Sequence, residues 1–510
     1  MSSITHNHPI PSIIPTGKTF TVWTVLALVV GLVATWYAGK IGFEMTGVEV
    51  MFLALPVGML ALVCIWHNER LWVYSAVLGQ ALNLLGGGRG ITAGDAAFGV
   101  WVIGGVLIWL CKELLVYRRP IIRSSFDFLF ISFFLFSTFL SIITSSINGA
   151  LVSRFFTEWL SVANLLLYFP IRSILNNRKD VVWLLVAFSV VALANSVFAI
   201  TMYKHKLLDA VIEAELMTTR SVSHENVAMA WMLICAVVFG YARNLRVGLL
   251  ALLGMGMAFV GLLISLSRGP IFSGFGALVM MLFLVESKIR KKLLLAICLM
   301  LLGGVGLGYA MFPAMIETIG SGVVKRLASV NQASSDRSLQ SREREQVAAV
   351  RYIARSPLIG YGYGVVYHYY DNAPGRTGTQ YSSFFHNGWL WPFYKFGIPL
   401  GLFFLFMYFY PTARLMLRYP SKEHQFLRGI AVGSLCFFVA SSLTNTTSNQ
   451  VSEFSGTFTI LVSWALLDFV NRSLYAAQSL GTALPAALPQ PAGEQNRGSD
   501  ALATALPGGQ

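Results

Sequence analysis

Charged residues are scarce in this sequence. They make up 12% of its 510 residues, whereas hydrophobic residues make up 55%. Because a soluble domain has roughly 25% charged residues, this composition excludes a soluble globular protein. A helix that crosses a bilayer needs about 20 mostly apolar residues, and the sequence supplies such runs repeatedly. A single signal peptide does not produce that pattern, so the sequence predicts an integral membrane protein.

Cysteine is also scarce, with five residues that each fall inside or at the edge of an apolar run. None has the spacing of metal ligands and no two share a polar loop, which argues against a zinc site and structural disulfides. Ionisable side chains are almost absent from the middle of the apolar runs, which argues against a proton-coupled pump. The deeper polar residues Asn164 and Asn195 are predicted to hydrogen-bond between packed helices.

The apolar runs predict an all-α polytopic membrane protein with about 14 transmembrane helices and one large, partly helical extracytoplasmic loop. The runs lie at about 20–38, 47–66, 71–86, 97–116, 126–147, 156–175, 181–202, 227–242, 247–267, 270–286, 293–313, 387–409, 427–444 and 456–470.

The formal net charge of +14 does not predict a nucleic-acid partner, because the basic residues collect in alternate short loops. The positive-inside rule places those loops, and both chain termini, in the cytoplasm. The predicted division is a cytoplasmic N-terminus at 1–19, transmembrane helices 1–11 at 20–313, a large periplasmic loop at 314–386, transmembrane helices 12–14 at 387–470, and a disordered cytoplasmic tail at 471–510.

Four polar residues on the predicted outer side are candidate site residues: Arg220, Arg268, Arg342 and His386. Arg220 comes shortly before a membrane helix, and Arg268 stands at a tight junction between two such helices. His386 stands where the chain re-enters the membrane. Histidine exchanges a proton near neutral pH, so His386 is either a general base or a structural residue at a helix start. Its neighbour Asn387 could orient a substrate or cap the helix.

Arg342 lies in the segment 341–356, which has helical periodicity and is predicted to be a helix. It falls in an apolar arc of that helix, where an arginine needs an anionic partner. That partner is either a loop carboxylate, Asp336 or Asp371, or a bound anion. The apolar arc consists of Ala349, Val350 and Ile353. A nearly opposite face, predicted to be solvated or to meet lipid headgroups, carries Arg344, Arg351 and Arg355.

The helix is followed by Pro357 and by a glycine-rich stretch that contains Gly360 and Gly362. Proline ends a helix, and glycines permit turns or a close backbone approach. The stretch lacks the lysine of a phosphate-binding loop and does not match the dinucleotide-binding pattern, so it is weak as a phosphate motif. The tyrosines around it are suited either to a membrane interface or to the face of a sugar.

Together these motifs resemble the O-antigen ligase and O-antigen polymerase superfamily, bacterial membrane enzymes of surface polysaccharide assembly. The similarity covers about 210–410. It rests on Ser267-Arg268-Gly269 after a membrane helix, on Arg342 followed by Pro357-Leu358-Ile359-Gly360-Tyr361-Gly362, on His386-Asn387 followed after nine residues by Gly397, and on Arg220 to Asn226 before a membrane helix. One departure is that the glycine after Gly397 is displaced by one residue.

The resemblance implies a metal-independent, inverting glycosyltransferase without a cofactor in the bacterial inner membrane, with its active site facing the periplasm. The donor would be a glycan on undecaprenyl diphosphate, and the acceptor a hydroxyl of lipid A core, another glycan or protein. Arg220 and Arg342 would bind the diphosphate with help from Arg268, and His386 would activate the acceptor. Supporting residues would be Asn226, Asn387, Gly360 and Gly362.

Ligase and polymerase stay open as subtypes, because the sequence does not separate transfer of a finished glycan from joining of repeat units. A transporter or flippase of lipid-linked glycans is an alternative of another class. It predicts repeats and polar groups at mid-membrane, and the sequence has neither pattern. A non-catalytic scaffold of an envelope assembly complex is a third interpretation.

Overall fold

The architecture comes from a computed structural model, which describes residues 59, 62–85, 98–209, 225–265, 267–311, 337–371, 377–383, 385–420 and 424–482. Several predictions fall outside these residues: the helix at 20–38, most of the helix at 47–66, the role of Arg220, the carboxylate of Asp336, and the tail beyond 482. All contacts given below lie within the compact unit that ends at Asn471.

The described part of the chain is mostly helical. Its helices are α1 (Glu69–Leu85), α2 (Gly105–Cys111, flanked by the π-helical turns Val100–Gly104 and Lys112–Val116), α3 (Ser125–Ile147), α4 (Val152–Ala163), α5 (Tyr168–Ile174), α6 (Arg178–Asp209), α7 (Glu225–Tyr241), α8 (Leu245–Ile264), α9 (Arg268–Leu284), α10 (Ser287–Met311), α11 (Arg337–Arg355), α12 (Trp391–Met416), α13 (Gln425–Thr444) and α14 (Phe454–Thr482).

Among the described residues, six helices are long and apolar enough to cross a membrane. They are Ser125–Ile147, Arg178–Met202, Leu245–Ile264, Trp391–Met416, Gln425–Thr444 and Phe454–Ala476. Two shorter apolar helices are Glu225–Tyr241 and Arg268–Leu284. The helical membrane fold is therefore confirmed, while the count of 14 spans stays a prediction.

Two predicted boundaries differ from the structure. The run at 156–175 is not one helix, because a 3₁₀ turn at Asn164–Leu167 separates α4 from α5. The last helix, α14, continues to Thr482, so residues 471–482 are helical and the disordered tail cannot begin at 471.

The all-α prediction is also wrong in one place. Strands β1 (Tyr367–Asp371) and β2 (Gly378–Ser382) pair antiparallel, with Tyr367 opposite Ser382 and Asp371 opposite Gly378. The two strands are rich in tyrosine, which favours a pleated surface with one covered face. Tyr367 is buried and stacks on Phe385 with ring centroids 4.2 Å apart, which packs the hairpin against the approach to α12.

Polar groups tie the buried helices together. Asn164 accepts a hydrogen bond from Gln80 Nε2 at 3.2 Å and donates to Thr457 Oγ1 at 3.4 Å, which confirms its predicted role between helices. Arg172 binds both Asp127 and Asp468, and all three side chains are buried. Each of these charges has a partner, as the cost of desolvating it requires.

A further buried pair corrects the prediction that ionisable side chains are almost absent inside the apolar runs. Lys395, in the first turns of α12, is fully buried and its Nζ lies 2.7 Å from Glu158 Oε2 of α4. The same carboxylate oxygen accepts the backbone N–H of Gly364 at 2.9 Å. The pair thus fastens the glycine-rich stretch to two helices.

Candidate active site

His386 is held by a carboxylate that the sequence analysis did not single out. Glu345 of α11 accepts the backbone N–H of His386 with Oε1 at 2.7 Å, and its Oε2 lies 2.6 Å from His386 Nδ1. Glu345 is only 3% exposed, while 42% of the His386 side chain is exposed. A carboxylate can only accept at Nδ1, so the proton sits there and Nε2 is the basic nitrogen.

Glu345 also approaches the buried phenol of Tyr367. Burial, with the charge of Glu345 as the next contribution, raises the pKa of Tyr367 well above its ordinary value. The phenol therefore stays protonated at physiological pH, and the Glu345 carboxylate can accept its hydrogen bond. Glu345 could have been found in the sequence, because it lies three residues after Arg342 and so on the same face of a helix.

Arg342 lies on the buried side of α11, as predicted. The helix buries a stripe formed by Ser341, Glu345 and Ala349, and Arg342, half-buried, borders that stripe one turn before Glu345. Val350, which the prediction placed in the same apolar arc, is 55% exposed, so the buried face is narrower than expected. The structure thus places Arg342 and the partner of His386 on one helix face.

Asp371, a predicted partner of Arg342, lies at the end of β1, where two side chains of α11 bind it. Arg344 Nη1 lies 2.6 Å from Asp371 Oδ1, and the Ser341 hydroxyl donates to Oδ2 at 2.6 Å. The prediction that Arg344 belongs to a solvated face is therefore wrong: this residue fastens the end of β1 to α11. Arg351 and Arg355 are exposed, as predicted.

The glycine-rich stretch is a backbone clamp. Gly360, Gly362, Gly364 and Gly397 all have positive φ, between 64° and 86°. Tyr361 N donates to Tyr394 O at 2.9 Å, Gly362 N to Lys395 O at 2.8 Å, and Ile398 N to Pro357 O at 2.6 Å. These bonds join the end of α11 to the kinked start of α12.

The clamp changes the interpretation of Gly360 and Gly362 as supporting residues. Their N–H groups bond to Ser356 O and Lys395 O, and that of Gly364 bonds to Glu158. A phosphate-binding loop needs amides that point at the ligand, so these amides cannot form one. The two glycines instead fix the distance between the helix of Arg342 and the segment of His386.

Asn387 stabilises the turn that follows His386. Its Oδ1 accepts the backbone N–H of Trp389 at 3.0 Å, and its carbonyl accepts that of Leu390 at 3.2 Å. This turn leads the chain from His386 into α12. Asn387 does not cap α12 itself, because the N-cap residue of that helix is Leu390 and no side chain caps it.

A second group of predicted residues gathers where α7 and α9 begin. Arg268 is half-buried at the first turn of α9, and the preceding Ser267 donates its hydroxyl to Glu225 Oε1 at 2.6 Å. Asn226 follows Glu225 and is buried. Ser267-Arg268-Gly269 and the element that ends at Asn226 are therefore neighbours, as their predicted placement on one side of the membrane requires.

The segment Asn445–Glu453, between α13 and α14, connects the two groups and was not considered in the sequence analysis. Its Asn445 carbonyl accepts the N–H of Gly388, two residues after His386, at 2.8 Å. Its Thr447 packs so closely on Gly269, next to Arg268, that a Cβ there would overlap the hydroxyl. Both groups therefore rest on one polar segment at the same end of the helices.

Comparison with known proteins was made against family models and curated proteins. Among the curated proteins no match was found. Residues 253–406 match the family model described as O-antigen ligase (Wzy_C), a segment that contains Arg268, Arg342, Glu345 and His386 but neither Asn226 nor Asn445–Glu453. This match supports the O-antigen ligase and polymerase superfamily and, with it, an enzyme of the ligase or polymerase type.

Proposed function

We propose that this protein transfers a glycan from undecaprenyl diphosphate to an acceptor hydroxyl, at the outer side of the bacterial inner membrane, and that it is an O-antigen ligase. The observation that carries the proposal is the double contact of Glu345 with His386, one helical turn from Arg342. It combines an oriented base with a permanent positive charge, which is what transfer from a diphosphate requires.

In the proposed reaction the acceptor hydroxyl gives its proton to His386 Nε2 as its oxygen attacks the anomeric carbon. The new C–O bond forms on one face of the sugar while the C–O bond to the diphosphate breaks on the other, so the configuration inverts. Glu345 holds the imidazole and stabilises the imidazolium that forms. A positioned base contributes roughly 10²–10⁴-fold to such a step.

The leaving diphosphate takes up the electron pair of the broken bond and gains negative charge. Arginine suits this group because its guanidinium is always charged and forms two parallel hydrogen bonds to phosphate oxygens. Arg342 and Arg220 are proposed to bind the diphosphate, with Arg268 in support. No cofactor enters the proposed reaction, since the side chains supply both the base and the positive charge.

The proposal is tested by deleting the gene in its host and complementing with variants, while envelope glycan and lipid-linked glycan are analysed together. His386→Ala and Arg342→Ala should abolish complementation although both proteins still insert. Matched controls are His368→Ala, an exposed histidine of the hairpin, and Arg351→Ala, an exposed arginine of α11. Both controls should complement like the wild type.

The same experiment separates the candidate functions. Long glycan chains stalled on the lipid carrier identify a ligase, whereas single repeat units with loss of long chains identify the polymerase. If glycans are unchanged and His386→Ala behaves as the wild type, the transferase proposal fails and a transporter or flippase takes its place. Partner binding that needs the outer loop but not its Arg and His residues would identify a scaffold.

A further inference from the structure

The segment Asn445–Glu453 lies close to the proposed site and contains buried polar atoms that lack a hydrogen-bond partner among the described residues. Asn445 accepts the N–H of Gly388 with its carbonyl, and its side-chain amide also packs against Gly388. A Cβ added to Gly388 would overlap this amide. The Thr444 hydroxyl lies 3.9 Å from Met229 Sδ. Asn445 is therefore near the end of α7 that contains Asn226, which lies one helical turn before Met229. The amides of Asn445 and Asn226 are therefore at the same end of the packed helices α13 and α7, and Asn445 lies beside Gly388.

Four buried amide atoms here have no hydrogen-bond partner within the described ranges. They are Asn445 Nδ2, Asn449 Nδ2, Gln450 Oε1 and Asn226 Oδ1. The orientation of the first two amides is fixed, because Asn445 Oδ1 accepts Gln450 N at 2.9 Å and Asn449 Oδ1 accepts Ser452 N at 3.1 Å. Each buried polar group without a partner costs about 1–3 kcal/mol, so four of them together indicate a polar ligand or ordered water.

Two carboxyl groups border the same segment. Glu453 accepts a hydrogen bond from Ser448 at 3.3 Å, and Glu225 accepts one from Ser267 at 2.6 Å. Burial, with the charge of Glu225 as the next contribution, raises the pKa of Glu453 to about 8. At neutral pH the Glu453 carboxyl is therefore mostly protonated, so that it can both donate and accept a hydrogen bond.

We propose that Asn445, Asn449, Gln450 and Glu453, with Asn226 and Glu225, form a subsite that binds the hydroxyl groups of a sugar ring next to His386. Hydroxyl groups donate and accept, and they match a set of neutral donors, neutral acceptors and carboxyl groups. A diphosphate requires positive charge, and the carboxylate of Glu225 would repel it. The subsite rests on the proposed glycan transfer and adds the part of the substrate that the arginines do not bind.

The test measures binding to the purified full-length protein in lipid nanodiscs. One probe is undecaprenyl diphosphate without sugar, and the other is the undecaprenyl-linked glycan extracted from the deletion strain. The variants are Asn449→Ala, Asn449→Ser, which keeps a hydroxyl able to accept Ser452 N–H, and Glu453→Gln. Thr446→Ala is the matched control, since Thr446 belongs to the same segment and is exposed.

We expect both Asn449 variants to weaken binding of the glycan-linked lipid about 10-fold, the factor that corresponds to 1.4 kcal/mol, and to leave the sugar-free lipid within about twofold of wild type. Glu453→Gln should act in the same direction, and Thr446→Ala should change neither value. If free glycan acceptor from the deletion strain competes with the glycan-linked lipid, the bound sugar ring belongs to the acceptor. If it does not compete, the ring belongs to the donor.

Equal affinities of wild type and all three variants for the glycan-linked lipid would mean ordered water only, and would overturn the subsite. Equal weakening of both lipids would also overturn it, because the segment would then act on the diphosphate or on folding. Failure of the proposed function has a different signature: wild type would bind neither lipid, or Arg342→Ala would bind the sugar-free lipid as well as wild type does.

Discussion

Gly360 and Gly397 approach so closely that a Cβ on Gly360 would lie 2.5 Å from the backbone nitrogen of Gly397. Both have positive φ, 64° and 77°, and the carbonyl of Lys395 lies equally close to Gly360. Because the atoms that a Cβ would meet belong to the backbone, a side-chain rotation cannot relieve the overlap. The contact fixes α11, which carries Glu345, against the chain that follows His386.

We therefore expect Gly360→Ala and Gly397→Ala each to lower the free energy of unfolding by at least about 2 kcal/mol, since the left-handed backbone alone costs roughly 1–2 kcal/mol for an alanine. Thermal unfolding in detergent measures the effect. Gly276→Ala is the matched control, because it lies in α9 with open space around its Cβ position. An unchanged unfolding temperature for Gly397→Ala would show that the clamp does not hold the helices together.

Glu345→Gln should lower kcat about 100-fold while the KM for the lipid-linked donor changes less than twofold. An amide can accept only one of the two hydrogen bonds from His386, and it cannot stabilise the imidazolium that the proposed reaction forms. Steady-state kinetics with purified protein measures both constants, and Glu345→Asp should recover part of kcat. Glu343→Gln is the control, because Glu343 is exposed on the same helix.

A purely structural role of Glu345 would give a different result. In that case kcat and donor binding would fall together, with a lower unfolding temperature, and Glu345→Asp would recover none of the lost turnover. Arg342→Ala provides the comparison, because loss of a diphosphate ligand should raise the KM for the donor more than Glu345→Gln does.

Arg344→Ala should destabilise the protein by about 3 kcal/mol, because it removes the ion pair between Arg344 and the fully buried carboxylate of Asp371. Arg344→Ala combined with Asp371→Asn should recover part of that loss, since the amide carries no charge that needs an ion pair. Thermal unfolding of the two single variants and the double variant gives the coupling. Additive effects in this cycle would contradict the direct interaction.

Glu453→Gln should alter how stability depends on pH. The pKa of this carboxyl is about 8 in the folded protein and has an ordinary value of 4.5, so the folded state binds the proton more strongly than the unfolded chain. Its contribution to stability is therefore fully present below about pH 4.5 and is lost as the pH rises through 8. Glutamine does not ionise, so its contribution to stability does not change with pH in this range.

The unfolding temperature of Glu453→Gln should consequently rise relative to wild type between pH 5 and pH 9. Glu453 is partly exposed, so solvent weakens the effect, and we expect a change of about a few degrees. Glu343→Gln, which replaces an exposed carboxyl of α11, should show a constant difference from wild type across this range. A constant difference for Glu453→Gln as well would mean that its carboxyl ionises as in water.

The sequence predicted the parts of this protein that depend on local pattern. Apolar runs located α3 and α13 almost to the residue, and helical periodicity located α11 and put Arg342 on its buried side. The motifs around Arg268, Arg342 and His386 indicate the superfamily from sequence alone. In each case the information lies within one helix or one short motif, where spacing alone determines which residues share a face.

The parts that the sequence did not predict depend on contacts between distant segments. Whether Arg344 faces solvent or an ion pair depends on the position of Asp371, which only the hairpin brings near. The proposed role of Glu345 depends on its contact with His386, which lies 41 residues further along the chain. The polar residues of Asn445–Glu453 resemble an ordinary short connection until the packing of α7, α9 and α13 brings them beside both motif groups.

The contacts of Asn445–Glu453 also have a consequence for folding during synthesis, because this segment is translated late. A ribosome completes the whole segment matched by the family model, 253–406, before it reaches Asn445. Until α13 has been inserted, Gly269 and Gly388 lack the surface on which both rest. The family match therefore does not mark the limits of a module that can be excised, and a chain cut at those limits would hold Arg268, Arg342, Glu345 and His386 without the support that aligns them.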